Sequence, residues 1–162
     1  MQREQARLYR VALHLLGRSE DAEEALQDSF LRIHRGLSRF DPERSWQAWT
    51  YRIVVNVCRS KMARRRALSW LSLDAWREAG GQDPASSAPE PSARLEIDER
   101  RERLLLLIAR LPPKERSALT LTSIEGLSAR EAAEALNSSE STVRSQASRA
   151  REKLRRWLEE LR

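Results

Sequence analysis

The residues able to do chemistry fall into three charged patches. From 144 to 156, Arg144, Arg149, Arg151, Lys153, Arg155 and Arg156 face a single acid, Glu152. Among and just before them stand Ser141, Thr142, Ser145 and Ser148. Guanidinium forks and short hydroxyls are the groups that read base edges in a major groove and hold the flanking phosphates. A second patch, Arg59, Lys61, Arg64, Arg65 and Arg66, contains no acid, and a third, Glu20, Asp21, Glu23, Glu24 and Asp28, contains no base. Charges segregated in this way suit two kinds of partner, one for the acidic face and one for the basic faces. The net charge of +6 and pI near 10.3 favour a polyanion among them.

No patch has the make-up of a catalytic centre. His14 and His34 are isolated, Cys58 stands alone, and neither a glycine-rich phosphate loop nor paired metal ligands occur. The expectation is a chain that is not an enzyme and carries no metal and no cofactor. Cys58 reads as a small buried residue, and His14 as a structural or surface histidine.

The elements that position these patches are expected to be helical. The 162 residues include only five glycines and six prolines. Of these, Gly80, Gly81, Pro84, Pro89 and Pro91 share one short stretch, which leaves the remainder nearly free of breakers. That pattern argues against a turn-rich sandwich or barrel and for an all-α chain. A single cysteine excludes a disulfide framework. With no apolar run of roughly 18 residues and no signal-peptide pattern, the expectation is a soluble cytoplasmic protein without membrane insertion.

Residues 80–92, GGQDPASSAPEPS, read as a flexible linker. The apolar stretch before it, with Leu68, Trp70, Leu71, Leu73 and Trp76, suggests a short docked helix. The resulting division is a first domain over 1–67, a linker region over 68–93 and a second domain over 94–162. In the first, Leu8, Val11, Ala12 and Leu15 are spaced as one helical face that Gly17 ends. Ser19 is placed to cap a second helix with Ala22, Ala25, Leu26, Ser29, Phe30 and Ile33 inward, ending near Gly36. After a turn at Asp41-Pro42, a third helix carries Trp46, Trp49, Ile53 and Val57 into the basic cluster.

In the second domain Leu104, Leu107, Ile108 and Leu111 lead to Pro112-Pro113, where one helix stops and another starts. Ser128 and Glu131 have the spacing of a capping box, opening a helix with Ala129, Ala132, Ala133 and Leu136 inward. Asn137-Ser138-Ser139 forms a tight turn in which Asn137 tolerates the left-handed conformation. The last helix places Val143, Ala147, Ala150, Leu154, Trp157 and Leu161 on one stripe. Two helices joined by three polar residues, with alanines where they cross, make a helix-turn-helix. Its outward positions are Ser141, Thr142, Arg144, Ser145, Ser148 and Arg149. An ordinary helical hairpin with a solvated basic face shares the pattern.

Residues 111–155, LPPKERSALTLTSIEGLSAREAAEALNSSESTVRSQASRAREKLR, resemble the second conserved domain of bacterial sigma factors of the extracytoplasmic-function group, the TVRSQASRAR string most of all. Residues 8–66 resemble the first conserved domain of the same family. The resemblance implies a promoter-specificity subunit that binds core RNA polymerase and promoter DNA under the control of an anti-sigma factor. In the helix DAEEALQDSFLRI it implies core-polymerase contacts at Asp21, Glu24, Gln27, Asp28 and Leu31.

The stretch from Phe40 to Arg66 resembles the part that reads the −10 element as single-stranded DNA. Arg44, Trp46, Arg52, Asn56, Arg59, Arg64 and Arg65 are the implied contacts, and the six outward positions of the last helix would read the −35 element. Aromatic platforms between arginines, with Trp49 and Tyr51 beside Trp46, are what unstacked bases need. Trp49 also lies on the core stripe of its helix, so the flipped-base pocket is placed in the loop from Phe40 to Trp46. Two residues depart from the family pattern: Asn137 replaces a turn glycine, and Gln146 stands where arginine is frequent. A free-standing helix-turn-helix repressor or activator is the rival reading, and it requires an apolar sensor pocket in the first domain.

Overall fold

The computed structural model describes residues 2–78 and 96–160, which form seven α-helices and no strand. They are α1 (Gln2–Leu16), α2 (Ser19–Gly36), α3 (Trp46–Glu78), α4 (Glu96–Arg110), α5 (Pro113–Leu119), α6 (Ala129–Leu136) and α7 (Glu140–Glu160). A 3-10 turn follows α2 and a π-helical turn, Thr120–Ile124, follows α5. The all-α expectation is met. The stretch expected to be a flexible linker lies outside the described residues.

Helix boundaries follow local chemistry with one exception. Gly17 ends α1 at φ 77°, a conformation open to glycine, and its N–H donates to the Leu13 carbonyl at 2.8 Å. A Cβ there would lie 3.3 Å from Cβ of Ala109, so the missing side chain also lets α4 approach. Ser19 was expected to cap α2 but is its first helical residue. Arg18 holds the cap position without a side-chain bond, so the acids Glu20 and Asp21 at the positive end of the dipole support this terminus instead. Ser45 starts α3, its Oγ accepting from the Ala48 N–H at 3.2 Å. With neither glycine nor proline between 46 and 78, α3 continues unbroken through Leu68 to Glu78. Of the docked helix expected over 68–79, the described residues 68–78 are the end of α3, and Leu68 itself is exposed.

In the first unit Leu8, Val11 and Leu15 of α1 pack on Ala22, Ala25 and Leu26 of α2 and on Val54, Val55 and Cys58 of α3. Each large aliphatic side chain buried there stabilises the fold by about 1.5–3 kcal/mol. Phe30, expected inward, is 39% exposed, because the close α2–α3 contact is made by small Ala25 and by Ser29, whose hydroxyl donates to the Ala25 carbonyl at 2.6 Å. In the second unit α4 supplies Leu107, Ile108 and Leu111, and α7 supplies Ala150 and Leu154. Leu104, also expected inward, is 42% exposed, as α4 there extends past the end of that small cluster. Arg110 lies over the half-buried Trp157 ring, 4.7 Å from its centroid.

The two units are packed against each other, α1 on α4 and α5, and α3 on α6. One apolar cluster runs from Leu8 and Val54 to Leu136, Val143 and Ala147. Polar anchors accompany it. Arg10 donates from Nε and Nη2 to the two carboxylate oxygens of Glu125, each at 3.1 Å. The Tyr51 hydroxyl donates to Glu125 Oε2 at 2.9 Å. Arg116, buried, donates to the carbonyls of Leu15 (2.5 Å), Leu111 (2.9 Å) and Ala109. Burial lowers the pKa of its guanidinium from the ordinary value, and the carbonyls around it replace part of the lost water, Nε remaining without an acceptor among the described residues.

Candidate nucleic-acid interface

The helix-turn-helix is built by short-range bonds. Ser128 Oγ accepts from the Glu131 N–H at 3.2 Å while Glu131 Oε2 accepts from the Ser128 N–H at 2.8 Å, closing the capping box at the start of α6. The Ser128 hydroxyl, which donates to Glu131 Oε2 at 2.6 Å, and then the Ser128 N–H hold the Glu131 carboxyl below its ordinary pKa. Asn137 ends α6 in the left-handed region at φ 50°, ψ 55°. The Ser138 N–H then donates to the Ala133 carbonyl at 3.0 Å, the return bond of a Schellman closure. Ser139 caps α7 through Oγ, which accepts from the Thr142 N–H at 3.2 Å.

Val143, Ala147, Ala150 and Leu154 form the buried stripe of α7. Ser141, Thr142, Arg144, Ser145, Ser148 and Arg149 all lie on its exposed side. Arg144 is tethered to Glu140, one turn earlier, at 3.1 Å. Lys153 is not a free tail cation: Nζ sits 2.8 and 3.0 Å from the Glu115 carboxylate oxygens and ties α7 to α5.

On α3 the residues expected to meet single-stranded DNA divide. Phe40, Trp46 and Trp49 form an aromatic cluster with centroids 4.9–5.1 Å apart. Trp46 is 39% exposed, whereas Trp49 is half-buried against the core and Gly36. Tyr51 is wholly buried and its hydroxyl is engaged by Glu125, so it offers no ring for stacking, contrary to expectation. Its burial pushes the phenol pKa up to about 12. Arg44 is exposed near Asp41 at 3.8 Å, and Arg64 is exposed.

Arg52 reaches across to the second unit, donating from Nε and Nη2 to the Glu134 carbonyl at 3.2 and 2.5 Å. Asn56 and Arg59 follow it along the same face and share one groove with Asn137, Thr142 and Gln146. Arg52, Asn56 and Arg59, assigned to one promoter element, thus meet Thr142, assigned to the other, across a single cleft.

The acidic patch on α2 is likewise partnered within the chain. Lys61 Nζ lies 2.8 Å from Glu24 and 3.8 Å from Asp28, and Arg65 lies 2.9 Å from Asp21. Gln27, Phe30 and Leu31 beside them are exposed, Leu31 by 57%. Among the described residues no group of His, Cys, Asp and Glu could hold a metal ion. Cys58 is buried, and desolvation pushes its thiol up to about 12, where it is inert.

Two family models match the chain, Sigma-70 region 2 over residues 1–68 and Sigma-70, region 4 over residues 101–154. SigM of Mycobacterium tuberculosis, an ECF RNA polymerase sigma factor, is 32% identical over 156 residues, 96% of this chain and 74% of the relative. The chain belongs to the extracytoplasmic-function sigma factors. SigE of Mycolicibacterium smegmatis is 32% identical over 153 residues, and the chain spans 57% of that relative's length. Among solved structures, CnrH in complex with the cytosolic domain of CnrY matches with a TM-score of 0.69 and 26% identity, covering 98% of this chain and 84% of that one. The Bartonella quintana sigma factor RpoE, in complex with the anti-sigma factor NepR, shares the fold at a TM-score of 0.73 and 23% identity, covering 96% of this sigma factor and 92% of that chain.

Within the sigma factor, region 2 takes in α1, α2 and most of α3, and region 4 takes in most of α4 and reaches into α7. Four positions that join the units escaped sequence reasoning: Arg10, Glu125, Glu134 and Arg116. Each acts across the boundary between units. A weak signal existed for Glu125, the one charged residue between Leu119 and Ser128.

Proposed function

We propose that this sigma factor binds core RNA polymerase and directs it to promoters by reading −10 and −35 elements, while the chemistry stays with the polymerase. The chain itself is then a regulatory subunit of the cytoplasm and not an enzyme; no described helix is long and apolar enough to cross a membrane. The observation that carries this reading is the pair of matched regions in order on one chain, the second displaying an exposed polar helix face. The working division is a −10 and polymerase-binding domain over 1–67, a linker over 68–93 and a −35 domain over 94–162.

Polymerase contact is assigned to Asp21, Glu24, Gln27, Asp28 and Leu31, and the exposure of Leu31 and Phe30 beside paired acids supports it. The −10 element is assigned to Arg44, Trp46, Arg52, Asn56, Arg59, Arg64 and Arg65, and the −35 element to Ser141, Thr142, Arg144, Ser145, Ser148 and Arg149. An anti-sigma factor is the expected regulator, since both solved neighbours carry a bound partner.

The engagement of Arg52 by Glu134 makes a specific expectation. The lone protein binds promoter DNA weakly, and core polymerase converts it to tight, sequence-specific binding. Promoter binding at fixed salt, with and without core enzyme, tests this. Nanomolar specific binding by the lone chain, unchanged by core, supports a free-standing repressor instead.

Within the holoenzyme, Arg144→Ala and Arg149→Ala each should cost about 1–3 kcal/mol of discrimination if the side chain meets a base edge bidentately. Arg155→Ala and Arg156→Ala should weaken binding uniformly and lower the salt slope. Competition between promoters differing in the −35 element measures both. A change of base preference from the tail variants alone would place the recognition register elsewhere.

A further inference from the structure

The open groove between the units has a volume of about 490 Å³ and a lining whose charged side chains are all cations. One wall is α3, with Arg52, Asn56 and Arg59; the other comes from the second unit, with Lys114 at the start of α5 and the turn before α7. No carboxylate lines it. Arg52 is bonded to a neutral carbonyl, which leaves its charge uncompensated. Arg59 is half-buried, and desolvation alone lowers its pKa, with no acid to oppose the effect. Neither Arg59 nor Lys114 makes a hydrogen bond or ion pair among the described residues.

Several cations elsewhere are neutralised within the chain. Lys61, Arg65, Arg10 and Lys153 all reach acids. Three cations brought to one polar cleft without a counter-charge repel one another, and the half-buried Arg59 also loses water; an anion is the species that relieves both costs. Arginine forks match phosphate oxygens bidentately, and a lysine adds a point charge. The amides of Asn56 and Gln146 and the hydroxyl of Thr142 supply further bonds around the same space. The volume accommodates a ligand of nucleotide size.

We propose that this groove binds a small phosphate-bearing anion, such as a nucleoside phosphate, between Arg59 of the first unit and Lys114 of the second. Because the cations come from both units, the ligand binds only the packed arrangement and stabilises it by linkage. The site itself does not depend on promoter recognition. Where the assignments of Asn56, Arg59 and Thr142 to DNA hold, the anion also competes with the promoter, a consequence that rests on the proposed function.

The test uses the full chain, titrated calorimetrically with pyrophosphate, with ADP and with a short oligothymidylate, at constant ionic strength. Thermal unfolding is followed alongside. The expected result is saturable one-to-one binding of pyrophosphate and ADP with a rise in unfolding temperature. Arg59→Ala and Lys114→Ala should each weaken that binding at least tenfold, and Arg35→Ala on exposed α2 should leave it unchanged. Lys114 is exposed, so its variant reports on the site even if Arg59→Ala unfolds the chain. Absence of saturable binding by the small anions overturns the proposal, as does binding indifferent to Lys114→Ala. Binding confined to the oligonucleotide and independent of Lys114 assigns the charge to nucleic-acid backbone and equally overturns it.

Discussion

Arg116→Ala is expected to destabilise the protein by about 3–5 kcal/mol, the scale for stranding several buried acceptors and opening a cavity at once. The guanidinium serves carbonyls of Leu15, Ala109 and Leu111, which belong to α1, to α4 and to the α4–α5 junction. Alanine leaves those acceptors without their donor in a space closed to water and also opens a cavity. Arg116→Lys keeps the charge but cannot span three carbonyls with one ammonium, so it should recover only part of the loss. Urea unfolding of the full chain measures both. Because Leu15 and Ala109 lie on different units, the loss should appear as weakened cooperation between them, with hydrogen exchange rising first at the end of α1 and along α5. A loss below about 1 kcal/mol with unchanged exchange would mean that the anchor is dispensable.

Glu125→Ala is expected to cost about 2–4 kcal/mol. The Glu125 side chain is 1% exposed, and its loss strands the buried Tyr51 hydroxyl and removes both acceptors from Arg10. The Arg10 side chain is 44% exposed, so water compensates that partner and the figure stays below the full penalty for a dry pair. Tyr51→Phe removes only the hydroxyl and should cost about 1 kcal/mol. In the double variant Glu125→Ala with Tyr51→Phe the stranded donor is gone, so the two losses should be less than additive. Thermal unfolding across the four proteins of the cycle gives the coupling. Additive losses would show that Tyr51 and Glu125 do not act as a pair.

Much of this architecture was legible in the chain because its determinants are local. A helical face needs only apolar residues three and four apart, so Leu8, Val11, Ala12 and Leu15 declare themselves without reference to a partner. Breakers and caps are equally short-range: Gly17, the Ser128–Glu131 box and left-handed Asn137 each depend on neighbours within one turn. The exposed side of α7 followed from the same periodicity, since fixing Val143 and Ala147 inward fixes Ser145 and Arg149 outward.

Tertiary structure decided which polar groups meet. Periodicity placed Tyr51 near aromatics and arginines and suggested an exposed platform; packing of α3 on the second unit turned it inward to Glu125, 74 residues away. Arg10 and Arg52 find acceptors 115 and 82 residues distant, and Arg116 reaches back 101 residues to Leu15. Asp21, Glu24 and Asp28 of α2, read as part of a face open to a partner, are occupied by Lys61 and Arg65 because α2 and α3 run side by side. Sequence spacing states which face of a helix a residue occupies. It carries no information about the element that will lie opposite, and the charge balance of the groove between α3 and α6–α7 exists only once those two surfaces are brought together.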